Sequence, residues 1–195
     1  MLAGLMASGG GGGTAGSAGT TLDSAAGQRV TQVKSTRNSR NAAKKGNERE
    51  AWDRMALRKI RNEIQHGDLH CAAQSYGEVQ EFFLRHPCKR LQQRLFPLAD
   101  DQGNVIAVSI MWVTMPSRAD ATKLKRVEDT YGTGDVTPVG TQLLGLGDVR
   151  FTGRYYASRR TGSQLVITET EPLHGQPSDS VLNDVASIAN LLPAP

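Results

Sequence analysis

The chain has 195 residues, 38% of them hydrophobic and 22% charged, with two cysteines and a net charge of +4. Seven bases (Arg29, Lys34, Arg37, Arg40, Lys44, Lys45, Arg49) against three acids (Asp23, Glu48, Glu50) place that whole excess in the first 50 residues, leaving residues 51–195 neutral on balance. A neutral body lacks the concentrated positive face that specific nucleic-acid recognition needs, and the length suits one core with a tail left over.

The tail comes first. Ten of the 21 glycines lie in the first 50 residues, five of them consecutive from Gly9 to Gly13, and no aromatic occurs there. Such a stretch loses more backbone entropy on ordering than its side chains can return. Residues 1–47 are therefore expected to be a disordered Gly/Ser-rich leader followed by a basic linker, and residues 48–195 a single α+β domain. The apolar Met1–Ala7 is too short for a signal peptide core or a membrane span. It reads either as a flexible leader or as the end of a longer apolar segment, in which case the linker would be a juxtamembrane tether. The basic stretch suits a membrane surface or another polyanion, bound in a salt-sensitive and unspecific way.

A helix is predicted over 48–65, with Glu48 and Glu50 in its first turn and Arg58, Lys59 and Arg61 late, complementing the macrodipole. Its stripe of Trp52, Met55, Ile60 and Ile64 is incomplete, so it is expected to lie across the domain surface. Ser75 and Glu78 have capping-box spacing before Val79, Phe82 and Phe83, and Pro87 ends that helix. Cys71 and Cys88 flank it. Ten helical residues span about 15 Å, whereas a disulfide needs Cα atoms within roughly 4.4–6.8 Å. A bridge thus requires residues 71–74 to fold back along the helix. Two separate buried thiols are the alternative, and a metal site with His66, His70 and His86 is a third reading. The ligand spacing fits no zinc pattern.

The long apolar stretch Leu95–Met115 predicts a hairpin. ADDQGN is its turn, with Gly103 in the left-handed position. Pro97 places the first strand at an edge or bulge. On the second strand Ile106, Val108, Ile110 and Trp112 share one face, with Val105, Ala107, Ser109, Met111 and Val113 on the other. That second face is also apolar, which predicts an interior strand partly covered on both sides. Ser117 caps a helix with Ala121, Leu124, Val127 and Tyr131 inward. Gly132-Thr133-Gly134-Asp135 resembles a phosphate loop only in its glycines, because it follows a helix and no Gly-Lys-Ser/Thr ends it. A second hairpin follows, with Phe151 and Tyr155 inward, Arg159 to Gly162 as the turn, and Leu165 and Ile167 inward on Ser163–Glu171. Ser178 or Asp179 then caps a last helix buried through Val181, Leu182, Val185, Ile188, Ala189 and Leu192. Two hairpins in a four-stranded antiparallel sheet with helices on one face is the economical two-layer arrangement.

No catalytic residue, metal site or cofactor emerges. The acids fall in turns, at helix starts or on outward strand positions, except Glu169, which parity places on the Leu165/Ile167 face. One such Glu reads as an end-of-strand salt bridge rather than a general acid. Ser109 has no nucleophile-elbow context. The binding candidate is the second hairpin, where Arg150, Arg154, Tyr156, Arg159 and Arg160 could receive an anionic ligand or an acidic partner. The expectation is a non-enzymatic binding or sensor-like domain; the alternatives are a structural protein of the cell envelope and a cytoplasmic α+β protein.

The motifs REAWDRMALR from Arg49, C-x3-SYGEVQEFF-x3-PC from Cys71, and VRFTGRYYASR from Val149 resemble uncharacterised actinobacterial proteins that carry a membrane segment before a soluble domain. The resemblance spans most of residues 49–195. It implies an extracytoplasmic or membrane-tethered location, with Cys71 and Cys88 as the recurrent pair, and brings no catalytic or binding residues. This chain departs from the pattern in lacking the membrane segment.

Overall fold

In the computed structural model the described residues are 32–60, 63–138 and 149–195. The predicted glycine-rich leader through residue 31 lies outside them. Met1–Lys34 is a unit of its own, and Ser35–Pro195 is the other. The elements are α1 over 32–44, α2 Glu48–Asp53, β1 Arg58–Lys59, β2 Ile64–His66, α3 Gly77–Arg85, β3 Arg90–Ala99, β4 Val105–Thr114, α4 Arg118–Glu128, β5 Tyr156–Thr161, β6 Gln164–His174 and α5 Asp179–Ala189. Among the described residues no helix is long and apolar enough to cross a membrane.

The fold is α+β around one antiparallel sheet. Among the described residues it has six strands rather than the expected four, in the order β1-β3-β4-β6-β5, with β2 also on β3. The predicted first hairpin is its centre: β3 and β4 pair from Arg90↔Thr114 to Ala99↔Val105. β1 and β2 share the outer edge of β3, β1 opposite Leu98 and Ala99, β2 opposite Gln93 to Leu95. Pro97 sits in the gap between them, its carbonyl accepting from the Ile60 N–H at 3.4 Å. N–H and C=O of one strand residue point the same way, so the missing donor faces that gap and costs the β3–β4 ladder nothing.

Helices cover both faces of the sheet, not one. Ile106, Val108, Ile110 and Trp112 pack with Phe96, Leu98 and Val166 against Leu182, Val185 and Ile188 of α5 and against Ala42, Ala43 and Trp52. On the other face Met111, Val113, Leu165 and Ile167 pack against Val79 and Phe83 of α3 and Ala121 and Leu124 of α4. The cause is the composition of β4, apolar at both parities. Leaving either set in water would forfeit roughly 1.5–3 kcal/mol for each large side chain.

The predicted helix over 48–65 is six residues long. It ends at Asp53, Ala56 turns the chain at φ 54°, and residues 58–59 and 64–66 join the sheet. The five-residue step from Met55 to Ile60 already broke the helical stripe. Nor is this segment peripheral: Trp52 is buried, with its ring 6.1 Å from that of Phe96. The predicted linker is helical over 32–44. Thr36, Ser39, Ala42 and Ala43 bury one face of it, Ser39 donating to the Ala51 carbonyl at 2.6 Å and Thr36 to Asp184 at 3.1 Å. Small and hydroxylated residues form this face, which a count of large apolar positions overlooks.

α4 and α5 begin at their predicted caps, the Ser117 oxygen accepting from the Asp120 N–H and the Ser178 oxygen from the Val181 N–H. Tyr131, expected inward, is 91% exposed because α4 stops at Glu128. The Ser75/Glu78 capping box does not form: the Ser75 hydroxyl donates to the Cys71 carbonyl. Instead the loop after α4 receives the start of α3, the Tyr76 N–H donating to the Asp135 carbonyl at 3.1 Å and the Glu78 N–H to the Thr133 carbonyl at 2.6 Å. Gly77 and Gly134 allow this crossing, since a Cβ on Gly134 would collide with the Tyr76 carbonyl. The second hairpin turns at Gly162-Ser163, so Arg159 and Arg160 lie within β5 rather than in the turn, and residues 149–155 are not strand.

Cys71 and Cys88 form a disulfide, Cα atoms 6.2 Å apart. Residues 71–74 make the fold-back turn, and the Gln80 side chain donates to the Ala72 carbonyl, holding that turn beside α3.

Candidate functional site

The five residues of the second hairpin do not form one patch. Along β5, Tyr156, Ser158 and Arg160 face α4 while Arg159 faces α5. Arg159 caps the C-terminus of α5, its Nε and Nη2 donating to the Asn190 carbonyl at 3.0 and 2.9 Å. That use suits a cation at a helix C-terminus. Arg154 pairs with Asp179 at 2.9 Å at the other end of α5 and lies over the Tyr155 ring. The Tyr156 hydroxyl donates to Asp129 at 3.1 Å, beside α4. Arg160 donates to the Gly162 carbonyl, and Arg150 is exposed.

The sheet face under α4 holds a different constellation. Glu128 ends the inward stripe of α4 that starts with Ala121 and Leu124. Glu169 lies on β6 between Ser109 of β4 and Tyr156 of β5, on the face shared with Leu165 and Ile167. Asp135, from the loop fastened to α3, bonds both carboxyls. Neither oxygen of Glu128, a buried residue, receives an amide, hydroxyl or cation. A bond between two carboxyl groups needs a proton between them, because an ionised carboxylate can only accept. The ammonium of Lys125, three residues before Glu128 on α4, is taken by Asp129 at 2.5 Å.

Electrostatics follow from this crowding. Burial, and then the charge of Asp135, push the Glu169 carboxyl up to about 9. Burial followed by Asp135 also drives Glu128 well above the carboxylate range, and burial raises Asp135 itself. The Tyr156 phenol is raised by burial and by Glu128. Glu169 was expected to be an end-of-strand salt bridge; among the described residues no cation pairs with it, and its partners are other acids and the Gly153 N–H. Glu171, two residues on, accepts from the backbone and hydroxyl of Thr152.

A second buried charged group stands on the opposite face. Arg94, with 9% of its side chain exposed, donates to Glu48 at 2.8 Å and to Glu63 at 2.5 Å. Lys59 reaches the same two carboxylates at 3.3 and 2.8 Å. Burial by itself would raise Glu63, but bonds from Arg94, Lys59 and Gln65 outweigh it and bring its carboxyl down to about 2. Glu48 is lowered against burial by the same arginine.

Parity pointed to Glu169, and helical spacing from Ala121 and Leu124 could have found Glu128. Nothing local marks Asp135, which arrives through the tertiary crossing of its loop with α3. Among the described residues no group of three or more His, Cys, Asp or Glu has a geometry that would hold a metal ion. No family model, curated protein or solved structure matches the chain. The resemblance to membrane-tethered actinobacterial proteins gains no support there.

Proposed function

We propose that this chain is a non-enzymatic binding domain that works in an oxidising compartment outside the cytoplasm. The observation that carries the reading is the Cys71–Cys88 disulfide, formed without metal-like ligation and closing the segment around α3. Such bonds persist in exported proteins and are uncommon in a reducing cytosol. The ligand class is anionic. With Arg154 on Asp179 and Arg159 on the Asn190 carbonyl at the two ends of α5, Arg150 and Arg160 are the remaining cations of residues 149–161, without a carboxylate partner among the described residues.

Thiol counting under denaturing conditions on protein from its native source tests the compartment: no free thiol is expected, and two would contradict it. A thermal-shift series with anionic small molecules tests the ligand class. A rise in Tm that is lost in Arg150→Ser with Arg160→Ser supports it; no rise with any anion counts against it.

A further inference from the structure

We propose that the protons shared by Glu128, Asp135 and Glu169 are a latch, holding the 130–137 loop over the sheet and the start of α3, and that their removal in alkaline surroundings releases the loop. The proposal is independent of the ligand reading of the second hairpin.

Geometry carries it. Three elements distant in sequence bring one carboxyl each to the face under α4: Glu128 buried at the end of its helix, Glu169 in register with Ser109 and Tyr156, and Asp135 beside both. Glu128 has no donor other than a carboxyl. The Ser109 hydroxyl, across from Glu169 and 1% exposed, makes no hydrogen bond among the described residues, although an ionised carboxylate on that row would attract it. Other groups facing the cluster add little positive charge. Asp129 from α4 and Glu171 from β6 are acids, and Tyr156 and Tyr76 are phenols. Lys125 is spent on Asp129, and Arg150, which acts on Tyr76, is exposed. Among the described residues, ionisation therefore places like charges together with no cation to compensate them.

The loop is the element that yields. Glu128 belongs to a helix anchored by Ala121 and Leu124, and Glu169 to a strand paired on both sides. Asp135 sits in a loop held by Val136 in the core and by backbone bonds to residues 74–78, the weakest attachment of the three, so repulsion moves the loop as a whole. Its departure removes the acceptors of the Tyr76 and Glu78 N–H groups and the Thr137 carbonyl that receives the Gln93 side chain at 3.0 Å. The start of α3 would then be uncapped. The disulfide keeps α3 and its fold-back turn joined while the loop leaves.

Hydrogen exchange of the Tyr76 and Glu78 amides reads the release directly. It is measured on the full chain with its disulfide intact, from pH 6 to pH 10, and corrected for intrinsic base catalysis. Above pH ~8 the corrected rate should climb by about tenfold per pH unit, the response to one proton lost, while the Ile110 amide of β4 stays protected. The Glu128→Gln/Glu169→Gln variant should stay flat; should it not fold, Asp135→Asn serves the same comparison. A flat wild type, a variant that climbs like the wild type, or an Ile110 amide that exchanges in step would each overturn the proposal.

Discussion

Two buried charged groups, one on each face of the same sheet, use the same residue type to opposite ends. Under α1 and α2, Glu48 and Glu63 close on Arg94 and Lys59, and Glu63 is held down at about 2. Under α4, Glu128, Asp135 and Glu169 close on one another, and Glu169 is pushed up to about 9. Burial raises every one of these carboxyls; partners decide whether it wins. The first face is stabilised by charges that stay on, the second by charges that stay off. A pH change therefore acts on the two faces in opposite directions.

The comparison can be broken most forcefully at Arg94. Arg94→Met keeps an aliphatic stem but removes the guanidinium that lies over Phe96 and leaves two buried carboxylates with Lys59 as their remaining cation, and should cost about 3–5 kcal/mol. Urea denaturation at pH 7 measures it, and a loss below 1 kcal/mol would mean the pair is solvated. Replacing both cysteines by alanine should cost about 3 kcal/mol for a separation of this size, read by the same method. Its local effect should fall on the carboxyl side, where faster exchange of the α3 amides should precede any change in α5.

The third prediction is the pH slope. A carboxyl raised in the folded state binds more protons there than in the unfolded chain, so its contribution is complete below the usual value near 4.5 and is lost as pH rises towards about 9. Between pH 6 and pH 8 stability should fall by on the order of 3 kcal/mol per such proton, and Glu169→Gln should flatten that limb. Glu63 acts in the other sense: its contribution is present above the usual value and is lost as pH drops to about 2. Arg94→Met should remove that acid limb and leave the alkaline one. The smallest effects are at the caps. Ser117→Ala and Ser178→Ala should each cost about 1 kcal/mol, and only Ser117→Ala, on the helix that carries Glu128, should also move the alkaline limb.

Much of the sheet was legible from the sequence because β4 is a long run of apolar, largely β-branched residues and the turn around Gly103 fixes its register with β3. The same strand hid the layering: apolar residues at both parities mean two covered faces, and one-sided packing was the wrong economy. Short pieces escaped for a physical reason. β1 and β2, of two and three residues, carry too few positions to show any period, and α1 buries Thr, Ser and Ala rather than large side chains. The arginines of β5 were visible as a run, but alternation along a strand sends Arg159 and Arg160 to opposite faces, and Arg159 is taken up by a helix end that sequence spacing does not announce. Of the carboxyl cluster, Glu169 stood out by parity, and its reading as a salt bridge failed because among the described residues no cation pairs with it. Asp135 depends on the crossing of Gly77 with Gly134, which only the folded chain displays.

The most direct measurement is a carbon-detected NMR titration of the side-chain carboxyls. Glu63 should reach half-ionisation at about 2 and Glu169 at about 9, in one protein and on opposite sides of one sheet. If both instead titrate in the ordinary range of about 4–5, the two faces do not differ in the way described, and the latch has no protons to hold.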